Sequence, residues 1–211
     1  MKLPTRLRTL TPLALLACLL LGCNLVQPIR KEIEKASAPQ LLTSPDGKLQ
    51  LTVPVGWRND PELHAEAGLR ASNRLSEMYA IVLTQSKDDF AEKVTLEAFT
   101  DLTRQQVLSN INAPDATAPV AATVAKHPAL QYTVRGVVEN IKVVYLITVV
   151  ETNTSFHQIL TWTLHSRFDQ NWHTLDEVTQ SFREISSTPP VRQGSPAAPP
   201  PPPAAPRRKR P

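Results

Sequence analysis

The fold of this chain is decided by residues 141–164, which read IKVVYLITVVETNTSFHQILTWTL. In the first ten positions, apolar residues predominate at both the odd and the even positions, so both faces of a strand would be apolar. This is typical of a central strand covered on both faces of a sheet. A short turn at Asn153-Thr154 follows, and a second strand then runs back. Apolar residues of this second strand alternate with a polar set made of His157, Thr161, Thr163 and His165. The pair predicts the centre of an antiparallel sheet.

Shorter strands precede this pair. Ser44-Pro45-Asp46-Gly47 has the chemistry of a turn and joins 41–42 to 49–53 in a predicted hairpin. Trp57 follows, either as a lid on the core or as a platform on which a ligand could stack. We predict a short exposed strand at 69–72 and further strands at 78–84, 120–124 and 131–138. Loops are predicted at 87–89 and at 112–119.

Two helices complete the predicted domain. Thr95 is expected to cap the first, whose apolar stripe consists of Leu96, Phe99, Thr103, Val107 and Ile111, widened by Leu102 and Leu108. Ser166 is expected to cap the second, whose stripe consists of Phe168, Trp172, Leu175, Val178, Phe182 and Ile185. Because these spacings follow the helical period, both helices are expected to pack on the sheet.

The two ends differ from the middle in composition. The chain of 211 residues has a formal net charge of +4, but three cations lie in residues 1–22 and five in residues 189–211, where there are no acids. Without these ends the middle carries about −4. A nucleic-acid-binding face on the folded domain is therefore not indicated. We predict a signal peptide at 1–22, a tether at 23–40, a domain at 41–188 and a tail at 189–211.

The N-terminus has the pattern of an export signal. Three cations precede an apolar run at 13–21, which is too short to span a bilayer. The run ends in Leu20-Leu21-Gly22-Cys23, which resembles the bacterial lipoprotein signal. That resemblance implies cleavage before Cys23 and lipidation of Cys23. Cys18 also fits the pattern but would leave only a short apolar stretch. Asn24, rather than Asp, after the lipidated residue favours the outer membrane.

The tail contains ten of the chain's 20 prolines, five of them consecutive at 199–203. This composition favours an extended polyproline II segment without a core. Four cations close it: Arg207, Arg208, Lys209 and Arg210. In the cell envelope their expected partner is anionic, such as lipopolysaccharide, phospholipid, a wall polymer or an acidic protein face. A disordered, solubilising end is the alternative.

A family resemblance spans residues 41–186. The first hairpin ends in Pro54-Val55-Gly56-Trp57, and a central helix and long strands follow. The segment Thr154-Ser155-Phe156-His157-Gln158-Ile159 then leads to a helix that ends in Gln180-Ser181-Phe182-Arg183. This order resembles the PsbP-like superfamily, which includes DcrB-type lipoproteins. The resemblance implies an α+β fold, an antiparallel sheet with helices packed on it, and an accessory or binding role without catalysis. It transfers no functional residues.

The residues themselves carry no catalytic motif. Gly-rich phosphate loops, nucleophile elbows and His-Glu-x-x-His are all absent from the sequence, and both cysteines precede the domain. His165 and His173 could approach each other, with Glu177 at i,i+4 from His173, but that spacing arises often by chance. We therefore predict no cofactor, no metal site and no enzymatic activity. A small-ligand or metal carrier is the alternative, and an envelope hydrolase would require a buried His–carboxylate pair in a cleft.

Overall fold

The computed structural model describes residues 38–185. The predicted lipidation site at Cys23 and the basic tip at Arg207–Arg210 lie outside these residues. Within them the chain forms two antiparallel sheets and two α-helices. The strands are β1 (Gln40–Thr43), β2 (Leu49–Val53), β3 (Arg58–Asn59), β4 (Leu69–Asn73), β5 (Met78–Ser86), β6 (Asn112–Ala116), β7 (Val120–Val124), β8 (His127–Val138), β9 (Ile141–Glu151), β10 (Ser155–Leu164) and β11 (Arg183–Glu184). The helices are α1 (Leu96–Ser109) and α2 (Phe168–Gln180).

The larger sheet has the order β3-β4-β5-β10-β9-β8-β6, with β7 also paired to β8. The predicted central pair is confirmed, because β10 lies between β5 and β9 and β9 lies between β10 and β8. The turn between them is closed by the Thr152 amide, which donates to the Ser155 carbonyl at 2.9 Å. Both faces of β9 are buried over most of its length, although Ile141 at its start is 51% exposed.

The smaller sheet has the order β1-β2-β11 and lies over one face of the larger sheet. The predicted hairpin supplies β1 and β2, while β11 returns from the C-terminal end of the described residues to pair with β2. Leu49, Leu51 and Val53 of β2 are buried against β4, β5 and α2. Trp57 is buried in the same core, so it is the lid of the core and presents no face to a ligand.

Helix α1 covers part of the opposite face. The predicted cap is confirmed, since the Thr95 hydroxyl accepts from the Ala98 amide at 3.2 Å. Phe99 stacks on Phe156 of β10 with ring centroids 4.5 Å apart. Leu102, expected to widen the apolar stripe, is 58% exposed. At 100° per residue it lies about 110° around the helix from the centre of the buried face, beyond the sheet.

Helix α2 packs on the sheet, as predicted, and lies on the face opposite α1, but its start differs from the prediction. A 3₁₀ turn at His165–Arg167 precedes it, so Ser166 is not its cap, and Arg167 occupies that position without a side-chain hydrogen bond. Its buried residues include Asn171, Leu175, Val178 and Thr179. Trp172 is 36% exposed, because the helix is rotated to place Asn171 over β10 instead.

Three other local predictions were wrong. Residues 112–116 form edge strand β6 rather than loop, with a bulge that accommodates Pro114. Strand β4 is buried rather than exposed, because β2 and Trp57 cover Leu69 and Ala71. The predicted loop at 87–89 is a single 3₁₀ turn.

The contrast between Leu175 and Leu102 gives a test of this packing. Leu175→Ala leaves a cavity between α2 and the sheet, and we expect the free energy of unfolding to fall by about 2–5 kcal/mol. Leu102→Ala removes the same atoms from an exposed position, so we expect a change within about 0.5 kcal/mol. Urea denaturation of both variants measures the difference. Equal losses would contradict the orientation of α1.

Candidate functional site

A cavity of about 690 Å³ opens where the smaller sheet meets the ends of β5 and β10. We call it the intersheet cavity. Its walls come from the β1–β2 turn, the loop before β4, the ends of β5 and β10, and β11. The lining residues are Ser44, Pro45, Asp46, Lys48, Leu49, Glu66, Ala67, Gly68, Arg70, Thr84, Ser86, Asp89, Thr154, Ser155, His157 and Glu184.

His157 is the most enclosed polar residue of this lining. Its side chain is fully buried, and its Nδ1 lies 3.0 Å from the hydroxyl of Thr84, its partner across the β5–β10 ladder. Its Nε2 lies 3.4 Å from Oε1 of Glu184, yet makes no hydrogen bond within the described residues. Phe182 packs beside the imidazole at 5.0 Å between centroids. A buried polar atom without a partner is rare in proteins and calls for an explanation.

The electrostatics determine the protonation of this ring. Burial lowers the pKa of His157, and the nearby Glu184 carboxylate offsets this only in part. The imidazole is therefore neutral at pH 7. Because Nε2 faces a carboxylate, the proton belongs on Nε2, and Nδ1 accepts from Thr84. Nε2–H thus points towards Glu184 and is enclosed by the protein.

Two arginines hold the loop that forms another wall. Arg70 donates from one guanidinium nitrogen to the carbonyl of His64 at 3.0 Å, and more weakly to those of Pro61 and Ala65. Arg74 donates to both carboxylate oxygens of Asp60, at 2.9 and 3.1 Å. Burial alone would raise the pKa of Asp60, but the hydrogen bonds from Ser72 and Arg74 outweigh it, and the pKa is lowered. The carboxylate is therefore charged and the loop is fixed.

The cavity lining carries more acids than bases. Asp46, Glu66, Asp89 and Glu184 face only Lys48 and Arg70, and Arg70 is already engaged by backbone carbonyls. The Ser44 hydroxyl donates to Asp46 at 2.6 Å, which lowers the pKa of that carboxyl and keeps it charged. The field at the mouth therefore favours a positively charged group.

Sequence reasoning did not identify this site. It assigned His157 to the polar set of β10 and did not consider Glu184, which lies 27 positions further along the chain. The available signal was the position of His157. It belongs to the polar alternating positions of β10, and the adjacent strand β9 is apolar on both faces. Such a histidine must be buried, and a buried imidazole needs partners. The pairing with Glu184 depends on β11 and could not be read from spacing.

The histidines singled out from the sequence do not form a metal site. His173 is 88% exposed, with its Nε2 3.9 Å from Glu177, while the exposed His165 lines a shallow depression beside β8. In the described part of the chain no group of three or more His, Cys, Asp or Glu side chains could hold a metal. Among those residues there is also no helix with the length and hydropathy needed to cross a membrane.

The buried His157 predicts a pH dependence of stability. Below its ordinary pKa of 6.5 the unfolded chain takes up a proton on this residue, whereas the folded protein does not. The free energy of unfolding therefore falls as the pH falls, by at most about 1.4 kcal/mol per pH unit for one proton. His157→Gln should flatten the slope between about pH 7.5 and 5.5 in urea titrations. The matched control His173→Gln, at an exposed site, should retain the wild-type slope; an unchanged slope in His157→Gln would contradict the prediction.

Two solved structures show what this fold is similar to. The solution structure of cyanobacterial PsbP (CyanoP) from Synechocystis sp. PCC 6803 matches with a TM-score of 0.51 at 15% identity, over 71% of this chain and 94% of that chain. The crystal structure of LpqN, involved in cell envelope biogenesis of Mycobacterium tuberculosis, also gives 0.51, at 13% identity, over 68% and 88%. No protein-family model and no curated protein matches by sequence. Residues 38–185 therefore adopt the PsbP-like α+β fold, as the order of elements along the chain predicts.

Proposed function

We propose that this chain is a lipid-anchored protein of the bacterial cell envelope that acts by binding rather than by catalysis. Two observations support this. The segment Leu20-Leu21-Gly22-Cys23 has the pattern of a lipoprotein signal. The fold is shared with CyanoP and with LpqN, which is described as involved in cell envelope biogenesis. In this proposal Cys23 carries the lipid, the domain faces the periplasm, and Asn24 favours the outer membrane.

The observation that carries the binding role is the intersheet cavity, whose wall contains the pair His157 Nε2 and Glu184 Oε1, 3.4 Å apart. Polar groups gathered at the wall of such a cavity can orient a ligand. The volume of about 690 Å³ is within the range of small-molecule sites in proteins.

The lining also indicates the class of ligand. Carboxylates outnumber cations, and several hydroxyls face the cavity, among them Thr84, Ser86 and Ser155. A small polar molecule with a cationic group and hydrogen-bonding substituents fits this set. The basic tip of the tail would serve a different purpose, contact with an anionic surface or protein in the envelope.

One observation favours a hydrolase as the second candidate. Thr84, His157 and Glu184 stand in the order hydroxyl, imidazole and carboxylate, at 3.0 and 3.4 Å, which is the order of a catalytic triad. Two facts favour binding over this alternative. Burial lowers the pKa of His157 and so weakens it as a base, and the imidazole has no exposed surface from which to reach a substrate. Acyl-ester turnover that is lost in Thr84→Val would reverse this preference.

The anchor is tested by two cysteine variants. We expect Cys23→Ala to lose labelling by a palmitate analogue and to move from the membrane to the soluble fraction, since several acyl chains hold a protein that one cannot. Cys18→Ala, five residues earlier in the same signal, should behave as wild type. Loss of labelling in Cys18→Ala alone would assign the anchor to the other cysteine and contradict the proposal.

The cavity is tested by native mass spectrometry of the full chain extracted from its own membranes. We expect wild type to retain a small molecule whose retention weakens with salt, because the mouth is acidic. Thr154→Trp places a large ring in the cavity and should abolish retention. Asn153→Trp, at the neighbouring exposed turn position outside the lining, is the matched control and should retain it. Retention by Thr154→Trp would show that the molecule binds elsewhere.

A further inference from the structure

A second concave surface lies on the larger sheet, at the end of β10 away from the intersheet cavity. Three aromatic rings stand side by side there, on three adjacent strands. Trp162 pairs with Tyr79 across one ladder and with Tyr145 across the other. The ring centroids of Tyr79 and Trp162 are 5.3 Å apart, and those of Trp162 and Tyr145 are 5.6 Å apart. We call this surface the aromatic groove.

The groove is open to solvent within the described part of the chain. It encloses about 190 Å³, and its walls add apolar side chains from the β8–β9 hairpin, namely Val138, Ile141 and Val143. All three rings are half-buried rather than covered. Helix α1 packs near the other end of β10, against Phe156, and α2 packs on the opposite face through Asn171 and Thr163. With both helices in place, the three rings stay half-buried.

The rim of the groove is acidic. Its lining includes Glu77 and Glu139 but neither lysine nor arginine. The Tyr79 hydroxyl donates to Glu77 at 2.7 Å, and burial together with this carboxylate raises the pKa of Tyr79 to about 12. The phenol therefore stays neutral, and the two carboxylates give the surface its charge.

The sequence after residue 188 has the complementary chemistry. Pro199–Pro203 favours the polyproline II conformation, and aromatic-lined grooves bind such segments at a low entropic cost. Arg207–Arg210 supplies four positive charges, and no acid occurs in residues 189–211. The run of prolines is complementary to the three aromatic rings, and the cations that follow it are complementary to the carboxylates at the rim.

The chain is long enough for this contact. The last described strand, β11, ends at Glu184 beside His157, about 17 Å along β10 from Trp162 at ~3.3 Å per residue. Residues 186–198 extend up to about 43 Å. The path over the surface from β11 to the groove is about 17 Å along β10 plus about 10 Å for each of the two layers passed at the end of the sheet, roughly 37 Å, so the run of prolines can reach the groove on the opposite face.

We propose that Pro199–Pro203 of this same chain docks in the aromatic groove, with the basic tip beside Glu77 and Glu139. The docked tail covers the exposed rings and neutralises the acidic rim. The four cations then have two competing partners, the carboxylates of their own domain and an external anionic surface. Binding of such a surface would release the tail and expose the groove.

Zero-length crosslinking of the full chain tests the proposal. Lys209 is the single lysine of residues 189–211, so a carbodiimide can join it only to a carboxylate in direct contact. We expect Lys209 to couple to Glu77 and Glu139 about tenfold more than to Glu97 or Asp169, because docking raises the effective concentration. Mass spectrometry of a mixture of ¹⁴N- and ¹⁵N-labelled protein separates links within one chain from links between chains.

Three variants make the result decisive. Replacing Pro199–Pro203 with alanines cannot unfold the described domain and should reduce the Lys209 links to the control level. Trp162→Ala should do the same, whereas Trp172→Ala, on the opposite face, should leave the links unchanged. Equal coupling to all four carboxylates, or full coupling in the alanine variant, would overturn the proposal. Links that join only chains of different isotope would overturn it too, since the occupant would then be a second copy.

Discussion

The structure depends on the burial of both faces of β10 from Phe156 to Thr161. A strand at the centre of a sheet has no solvent-exposed face when helices or a second sheet pack on both sides, so every polar side chain it carries needs a partner inside the protein. β10 carries several. Thr163 accepts from Asn171 of α2 at 2.8 Å, and the Thr161 hydroxyl donates to the Leu146 carbonyl at 3.4 Å. Among the residues of β10, only His157 keeps a buried side-chain nitrogen or oxygen without a hydrogen bond.

This constraint explains the position of the intersheet cavity. Helix α2 covers β10 near Thr163, and the smaller sheet covers it near Ile159, but the cover thins towards His157. The turn of the first hairpin and the loop fixed by Arg70 surround the opening rather than fill it. The cavity therefore arises where two covering layers meet at the end of a buried strand.

Periodicity predicted the parts of the fold that depend on local pattern. The central pair, the first hairpin, the Thr95 cap and both helices follow from alternation, turn chemistry and the helical period. Predictions failed where tertiary contacts decide whether a segment is buried or forms a strand. Whether β4 is exposed depends on a sheet formed by distant residues, and edge strand β6 depends on pairing with β8 around a bulge at Pro114. The site also depends on tertiary contacts. Strand β11 places Glu184 beside His157, and a strand of only two residues has no recognisable sequence pattern.

The shortness of β11 has a consequence for the kinetics of the cavity. Strand β11 is held to β2 through two paired positions and to the hairpin by the Ile185 amide, which donates to the Lys48 carbonyl at 2.6 Å. Elements with so few hydrogen bonds open locally at a far smaller free-energy cost than the whole domain. Detachment of β11 would carry Glu184 away from the imidazole while the larger sheet stays intact. Access of solvent to the enclosed Nε2 of His157 is then governed by fraying of the last strand and not by global unfolding.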